Sequence, residues 1–444
     1  MKNNLTQGSV LKNVLYFSLP FLLSYFLQTL YGMADLFIIG QYGSVADITA
    51  VSIGSQVMHM LTVMIVGLAM GTTVTISRSV GAEKHDDAAM SIGNTAVLFM
   101  CISAAVTVLL LALARPITAV MSTPSEAVGG TVSYLTVCFM GIPFITAYNI
   151  ISSVFRGMGD SKSPMYFIAV ACAANIGLDY LFMGVFKLGP AGAALGTVLS
   201  QTISVIISLI VILKKDTGIR LTKANFKPHR RTMGDILKIG VPIALQDGFI
   251  QISFIVITII ANRRGLTDAA AVGIVEKVIG IFFLVPSSML SSVSALAAQN
   301  IGANKLWRAR ITLRYAICFA MLFGIAVSVI TQFCSERILG FFGKDKDVII
   351  SGSRYLKSYV WDCVFAGATF CFSGYFCALG KSVISFIHNV CSIVLVRIPA
   401  AYVLSAMFSD TLYPMGLASP LGSLFSMIIC IGVYIYLIKR KQPV

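Results

Sequence analysis

The sequence predicts an all-α membrane protein with twelve transmembrane helices, in two six-helix pseudo-symmetric lobes around a central cavity. Three observations predict it: the composition, the long apolar runs and an internal repeat. Hydrophobic residues make up 57% of the 444 residues and charged residues only 11%, with a mean hydropathy of +0.87. Because globular domains carry about 25% charged residues, this chain has too little charge to cover a surface in water.

The apolar residues form twelve runs long enough to cross a membrane. A helix needs about twenty consecutive apolar residues to span a hydrocarbon core about 30 Å thick. The runs lack the period-two alternation of barrel strands, so helices are favoured. They lie near 14–39, 48–77, 90–113, 131–155, 164–187, 191–213, 236–261, 269–297, 312–334, 354–378, 382–407 and 415–438.

The net charge of +15 is concentrated in particular connections between the predicted helices. Basic residues stand between helices 6 and 7, between helices 8 and 9, and in the tail: Lys214, Lys215, Arg220, Lys223, Lys227, Arg230, Arg231, Lys238, Lys305, Arg308, Arg310, Arg314, Lys439, Arg440 and Lys441. By the positive-inside rule, both termini and the central loop are predicted to be cytoplasmic. Six residues fit this orientation poorly: Arg263, Arg264, Lys344, Lys346, Arg354 and Lys357. A basic loop beside anionic lipid explains the charge, and no nucleic-acid partner is expected.

The two halves of the chain resemble each other at an offset of about 221 residues. The segment 50–54 matches 271–275, and several single residues match in the same order, namely Tyr134 with Tyr355, Phe155 with Phe376 and Gly159 with Gly380. Pro20 matches Pro242 at 222, and Pro190 matches Pro414 at 224. Repeats of six helices enter the membrane from the same side, so they are parallel repeats with a cavity expected between them.

The repeat and the polar linker divide the chain into three predicted parts. Residues 1–213 form an N-lobe of helices 1 to 6, residues 214–235 form a cytoplasmic linker, and residues 236–444 form a C-lobe of helices 7 to 12. Prolines within the apolar runs predict bends at five positions: Pro20, Pro143, Pro242, Pro286 and Pro399.

Ionisable residues inside membrane spans cost roughly 2.5–3.5 kcal/mol at mid-helix, so each needs a physical reason. Asp35 lies in helix 1, and Asn175 and Asp179 lie one turn apart on the same face of helix 5. Thr197 follows in helix 6. Two carboxylates, an amide and a hydroxyl can hold Na⁺ through oxygen atoms or share a proton. The alternative is a purely structural hydrogen-bond network.

The C-lobe does not repeat this group. At an offset of 221, Asn175 and Asp179 correspond to Val396 and Ala400. The C-lobe has other polar residues in its helices, which are candidate substrate-cavity residues: Gln246, Asp247, Glu276, Asp362 and Arg397. Asp362 and Arg397 are candidates for an ion pair, and Glu276 for a group that faces the cavity. A structural role for Glu276 and Asp362 is the alternative.

Five short patterns, in the right order, resemble the multidrug and toxic compound extrusion (MATE) family along nearly the whole chain. They are Ala34 to Gly40 in helix 1, Ser77 to Ala82 after helix 2, Phe155 to Asp160 after helix 4, Asn175 to Asp179 in helix 5 and Gln299 to Ala303 after helix 8. The resemblance implies two six-helix lobes and an exporter of amphipathic, often cationic, organic compounds. Export would be driven by inward flow of Na⁺ or H⁺ and proceed by alternating access.

The resemblance also implies functions for individual residues. Asp35, Asn175, Asp179 and Thr197 match family positions implicated in cation coupling, and Tyr134 on helix 4 is an addition to them. Some members carry a cation-binding acid on helix 7, whereas the matching stretch here, Phe249 to Gln251, has none. We therefore expect no C-lobe cation site of that type.

The remaining expectations follow from this assignment. We expect a monomer in the cell membrane, with small organic substrates and lipids as partners, and no cofactor apart from Na⁺ or H⁺ as coupling ion. A flippase for lipids or lipid-linked precursors, with the same two-lobe architecture, is the nearest alternative. No HExxH, GxSxG or paired His/Asp pattern indicates an enzyme. A passive channel or a receptor is a further alternative, which explains the repeat and the buried carboxylates less well.

Overall fold

The structure is a computed structural model that describes residues 5–214, 218–342 and 345–439. Four basic residues counted above lie outside the described residues: Lys215, Lys344, Arg440 and Lys441. Within the described ranges the chain forms helices joined by short turns, without a strand. Ten helices in these ranges are long and apolar enough to cross a membrane, and the number rises to twelve when each of two bent helix pairs is taken as one span.

The twelve spans are labelled α1 to α12 in chain order. They are α1 Val10–Tyr42, α2 Val45–Gly81, α3 His85–Val120, α4 Ser125–Met140 with Ile142–Gly157, α5 Lys162–Val185, α6 Gly189–Lys214, α7 Arg230–Asn262, α8 Leu266–Gly302, α9 Leu306–Gly340, α10 Lys346–Tyr359 with Asp362–Ala378, α11 Ser382–Met407 and α12 Tyr413–Lys439. Each predicted apolar run coincides with one span, so the predicted helix count and fold class are confirmed.

Short polar sequences determine where several spans begin. The Ser44 hydroxyl accepts a hydrogen bond from the Asp47 backbone N–H at 3.2 Å, and the Asp47 carboxylate accepts one from the Ser44 N–H at 2.9 Å. This capping box satisfies backbone donors that the first turn of α2 leaves without partners. Asp345 caps α10 by accepting from the backbone N–H groups of Asp347 and Val348.

Two spans are sharply bent at equivalent places in the two halves. The two parts of α4 meet at 49° around Gly141, two residues before Pro143, as the proline predicted. The two parts of α10 meet at 43° between Tyr359 and Asp362, where the chain has no proline and no bend was predicted. The Ser328 hydroxyl donates to the Val360 carbonyl at 3.1 Å. A hydroxyl from α9 therefore provides a hydrogen bond for a buried carbonyl at this break.

Backbone geometry and burial repeat at the offset found in the sequence. Glu83 and Asn304, 221 residues apart, both adopt positive φ, at 58° and 57°. Gly159 and Gly380 do the same, at 88° and 68°, in a region that favours glycine. The matched aromatic pairs Tyr134/Tyr355 and Phe155/Phe376 are all buried. The internal repeat is therefore a repeat of structure.

The chain forms two compact units. The first unit comprises Leu19–Val241, and the second comprises Leu5–Ser18 together with the chain from Pro242 onward. The unit boundaries thus fall inside α1 and α7, close to the matched residues Pro20 and Pro242. The predicted lobes, 1–213 and 236–444, stay a prediction. Each unit has its own buried apolar core, around Phe99 and Leu135 in the first and around Val272 in the second.

Several basic residues of the second unit bind backbone carbonyl groups. Lys305 donates to the Thr6 carbonyl at 3.1 Å, and Arg308 donates to the carbonyls of Gln7 and Gly8. Arg264, which fits the positive-inside rule poorly, pairs with Asp268 at 2.8 Å and donates to four carbonyls near the end of α11: Ser405, Phe408, Ser409 and Thr411. The charge of Arg264 is therefore balanced by partners close to it in the fold.

Candidate functional site

The residues predicted to bind the coupling cation lie together in the first unit, as a group of buried polar side chains. Asp35 comes from α1, Asn175 and Asp179 from α5, and Thr197 from α6; these four residues are called the acidic cluster. All four are buried, with Asp179 fully inaccessible and Asp35 only 3% exposed. The Thr197 hydroxyl donates to Oδ2 of Asp35 at 3.2 Å, and Asp35 interacts with both Asp179 and Asn175.

Five buried atoms of the acidic cluster have no hydrogen-bond partner in the described part of the chain. They are Oδ1 of Asp35, both carboxylate oxygens of Asp179 and both amide atoms of Asn175. Neither carboxylate pairs with a lysine or arginine of the described residues. Since buried polar groups are nearly always satisfied, these atoms fit a site for a cation, a shared proton or water.

The backbone around Asp179 is specialised on two sides. A π-helical turn, Tyr180–Val185, begins directly after Asp179 and interrupts the α-helical hydrogen bonding of α5. Such turns occur often at functional sites. On α6, Gly196 lies directly behind the carboxylate, because a Cβ atom built there would overlap Oδ1 of Asp179. A glycine is therefore needed for α5 and α6 to approach at this point.

Tyr134 lies beside the acidic cluster without a hydrogen bond to it. Its hydroxyl shares a hydrogen bond with Ser55 of α2 at 3.1 Å, and its ring fills the space that Gly54 leaves open. It lies close enough to Asp35 for an electrostatic interaction, as does Tyr31, one helical turn before Asp35. Ser55 and Tyr31 were not predicted from the sequence. The four-residue spacing to Asp35 could have identified Tyr31, whereas no local pattern indicates Ser55.

A second polar group lies in the second unit and contains the predicted ion pair. Arg397 of α11 donates to Oδ2 of Asp362 at 3.4 Å and to the Tyr359 hydroxyl at 3.0 Å, both on α10. Its Nε donates to the Ser419 hydroxyl of α12 at 3.0 Å, and its guanidinium lies 5.2 Å from the centre of the Phe254 ring. The predicted pairing of Asp362 with Arg397 is confirmed.

Glu276 of α8 belongs to the same group. Its carboxylate accepts from the Thr258 hydroxyl of α7 at 3.3 Å and interacts electrostatically with Arg397. The side chain is half-buried, whereas the neighbouring Lys277 is exposed. Glu276, Asp362 and Arg397, with their partners Thr258, Tyr359 and Ser419, are called the arginine cluster. Those three partners and Phe254 were missed, because hydroxyl and aromatic residues are too common in apolar helices to be singled out.

The other two candidates lie on α7 apart from the arginine cluster. Gln246 is buried, and its Oε1 atom has no hydrogen-bond partner among the described residues. Asp247 is half-buried. Within the described ranges, neither forms a hydrogen bond or ion pair with Glu276, Asp362 or Arg397.

Neither cluster has the ligands of a transition-metal site. Within the described residues, no three His, Cys, Asp or Glu side chains gather where they could hold a metal ion. The acidic cluster offers two carboxylates with neutral oxygens, a set that suits a hard monovalent cation or a proton.

Comparison with known proteins now adds to this geometry. A sequence model of the MatE family matches the chain twice, over residues 20–181 and 242–403. Together these segments cover more than half of the chain. The chain belongs to the MatE family. The two matched segments are offset by 222 residues at both ends, so the MatE match reproduces the internal repeat.

Curated relatives match along nearly their full length. A protein of Bacillus subtilis named "Probable multidrug resistance protein YpnP" is 28% identical over 97% of this chain and 96% of its own. A second, "Probable multidrug resistance protein YoeA" of the same organism, is 25% identical over 98% and 96%. The "Multidrug export protein MepA" of Staphylococcus aureus is 23% identical over 99% and 96%.

Solved structures of MatE-type transporters share the fold. An outward-facing multidrug resistance MATE family transporter is matched with a TM-score of 0.92 at 21% identity, over 98% of both chains. A MATE crystal structure in complex with MaL6 is matched with a TM-score of 0.90 at 21% identity, over 98% of this chain and 97% of that one. The all-helical, two-lobe class predicted from the sequence is confirmed.

Proposed function

We propose that this MatE protein is a secondary active exporter that exchanges amphipathic, often cationic, organic compounds for Na⁺ or H⁺. The observation that carries the proposal is the acidic cluster, in which two buried carboxylates approach each other and pair with no lysine or arginine in the described part of the chain. Five of its buried polar atoms have no hydrogen-bond partner among the described residues. The names of the relatives, which describe multidrug resistance and export, support the choice of substrate class.

In the proposed mechanism the acidic cluster binds the coupling ion. Asp35 and Asp179 supply negative charge, the Asn175 amide oxygen supplies a neutral ligand, and Thr197 orients Asp35 through its hydrogen bond. A bound Na⁺ would be held by these oxygens, and a proton would be shared between the two carboxylates. Either one removes the repulsion between two buried like charges.

Export requires that the ion and the substrate disfavour each other's binding. Occupancy of the acidic cluster would change the packing of α1 against α5 and α6, and so weaken substrate binding. By linkage, bound substrate must weaken ion binding by the same factor. Alternation between states open to opposite sides of the membrane then couples inward ion flow to outward substrate flow. The protein is proposed to act as a monomer in the cell membrane with both termini in the cytoplasm, without catalytic activity.

The test is gradient-driven efflux of a fluorescent organic cation from right-side-out vesicles, with inward Na⁺ and pH gradients imposed separately. We expect Asp35→Asn to lower efflux about tenfold or more, because a charge-assisted contact contributes roughly 1.5–3 kcal/mol. Asp86→Asn, a substitution at an exposed position in the first turn of α3, is the matched control and should keep wild-type efflux.

Three results are informative. Loss of efflux in Asp35→Asn alone, at equal protein levels, supports ion coupling through the acidic cluster, and the gradient that drives wild-type efflux identifies the ion. Normal gradient-driven efflux in Asp35→Asn would reduce Asp35 to a structural residue. Absence of wild-type efflux under either gradient would contradict the proposed substrate class.

A further inference from the structure

The acidic cluster and the arginine cluster are built from corresponding helices of the two repeats. The first takes residues from α1, α5 and α6 with Tyr134 and Ser55 beside it on α4 and α2. The second takes residues from α7, α11 and α12, with further residues on α10 and α8. Each helix of the second set is six spans after its counterpart in the first. The clusters are therefore counterparts of each other within the repeat.

Individual positions also correspond. The match of 50–54 with 271–275 places Ser55 opposite Glu276. The MatE segments, offset by 222 at both ends, place Asn175 opposite Arg397 and Asp35 opposite Ile257, the neighbour of Thr258. This alignment differs by one residue from the offset of 221 used above, which paired Asn175 with Val396. Both α5 and α11 also contain a π-helical turn next to the cluster, Tyr180–Val185 and Ile393–Arg397.

The clusters differ in how their charge is balanced. The acidic cluster has two carboxylates and, among the described residues, no lysine or arginine paired with them. The arginine cluster also has two carboxylates, but the Arg397 guanidinium lies among them with Asp362 at 3.4 Å. The ionisable groups that face Arg397 are Glu276 from α8 and Asp362, Tyr355 and Tyr359 from α10.

We propose that Arg397 is a tethered cation. Its guanidinium occupies the position in the second unit that corresponds to the ion site of the first unit. The proposal rests on the proposed function, because it assumes that the acidic cluster binds an ion. A guanidinium remains charged at every physiological pH, and its covalent attachment keeps it at the carboxylates. The arginine cluster would therefore take up no ion from solution, and the transporter would be coupled through one unit.

The geometry distinguishes this assignment from an ordinary ion pair. A cation site surrounds its ion with several oxygens, and Arg397 contacts oxygens of Asp362, Tyr359 and Ser419 on two helices while Glu276 faces it from a third. Oδ1 of Asp362 has no hydrogen-bond partner among the described residues. Without the guanidinium, these oxygens would form a second group of buried acceptors that requires a cation.

The test asks whether removal of the guanidinium creates an ion site. Binding of radioactive sodium and uptake of protons would be measured on purified protein in which Asp35→Asn and Asp179→Asn have removed the acidic cluster. We expect this background to bind no ion, and Arg397→Met to add one sodium ion or one proton per chain. Arg397→Lys, which keeps a tethered charge, and the double substitution Asp362→Asn/Arg397→Met should add none. A folded Arg397→Met protein that gains neither ion would overturn the proposal.

Thermal unfolding tests the same proposal if Arg397→Met folds poorly. We expect it to unfold several degrees lower than wild type in choline chloride and to recover in sodium chloride of equal ionic strength or in acidic buffer. The double substitution should respond to neither. Instability of Arg397→Met in every buffer, with a stable double substitution, would overturn the proposal. If Asp35→Asn bound the ion as well as the wild type does, the proposed function would be contradicted. The gain of a bound ion in Arg397→Met would still be measurable in that case.

Discussion

The acidic cluster and the arginine cluster show how one repeated framework can hold charge inside a membrane protein in two ways. In the first, Asp35 and Asp179 are buried close together and are not paired with lysine or arginine in the described chain. In the second, Asp362 is just as buried but pairs with Arg397. A buried charge must be neutralised in either case. Under the proposed function, an exchangeable ion neutralises the first cluster, whereas the second contains its own cation.

The largest expected effect is a difference in stability between two matched substitutions. Asp362→Asn leaves the buried Arg397 without its close partner, and breaking a buried ion pair costs about 3–5 kcal/mol. We expect a loss near the lower limit, because Glu276 still faces Arg397. Asp179→Asn removes one of two like charges and should leave stability in ion-free buffer unchanged or higher. Thermal unfolding in detergent measures both.

The double substitution Asp362→Asn/Arg397→Met serves as the control for this comparison, since it removes the pair as a unit. It should be more stable than Asp362→Asn alone. Suppose instead that Asp362→Asn unfolded at the wild-type temperature and Asp179→Asn at a lower one. The charge would then be balanced by a protein partner in the acidic cluster and not in the arginine cluster, which is the reverse of our assignment.

Sequence reasoning predicted the charged members of both clusters better than their neutral partners. Asn175 and Asp179 share a helix face by their spacing, and carboxylates in apolar runs are rare enough to stand out. The pairing of Asp362 with Arg397 followed from the same rarity. Ser55, Thr258 and Ser419 were not predicted, since hydroxyl residues occur throughout apolar helices. Their contacts depend on how each helix is rotated about its axis, which a single sequence does not determine.

Of the two bent spans, one bend was predicted from the sequence and the other was not. A proline cannot donate a backbone hydrogen bond, so Pro143 indicated the break in α4 from sequence alone. The matching break in α10 has no such residue, and the contact from Ser328 to the Val360 carbonyl joins segments 32 residues apart. The offset between the repeats also drifts from 221 to 224 along the sequence. That drift concealed the correspondence of Asn175 with Arg397.

An effect of intermediate size is expected from two glycines that lie behind the clusters. A Cβ at Gly196 would overlap the Asp179 carboxylate, whereas a Cβ at Gly422 would lie 3.1 Å from the Arg397 Cβ. Gly196→Ala should therefore displace Asp179 and lower ion-driven efflux about as much as Asp179→Asn. Gly422→Ala should leave efflux within about twofold of wild type, since a contact at that distance needs only a small shift.

Gly177→Ala is the control for this pair, because a Cβ there meets nothing within 4 Å. Protein yield and thermal unfolding would be measured for all three variants alongside vesicle efflux. Equal loss of efflux in Gly196→Ala and Gly177→Ala would show that the loss does not come from overlap with the Asp179 carboxylate.

The smallest expected effect concerns one hydroxyl in each cluster. Thr197→Val removes the hydrogen bond to Asp35, which contributes about 1 kcal/mol, and should weaken ion binding about fivefold. Thr197→Ser, which keeps a hydroxyl, should bind the ion as the wild type does. Ser419→Ala removes one acceptor from Arg397, which keeps its contacts with Asp362 and Tyr359. It should change stability slightly and ion affinity not at all. A matching loss of ion affinity in Ser419→Ala, measured by sodium or proton binding, would mean that the second unit takes part in ion binding.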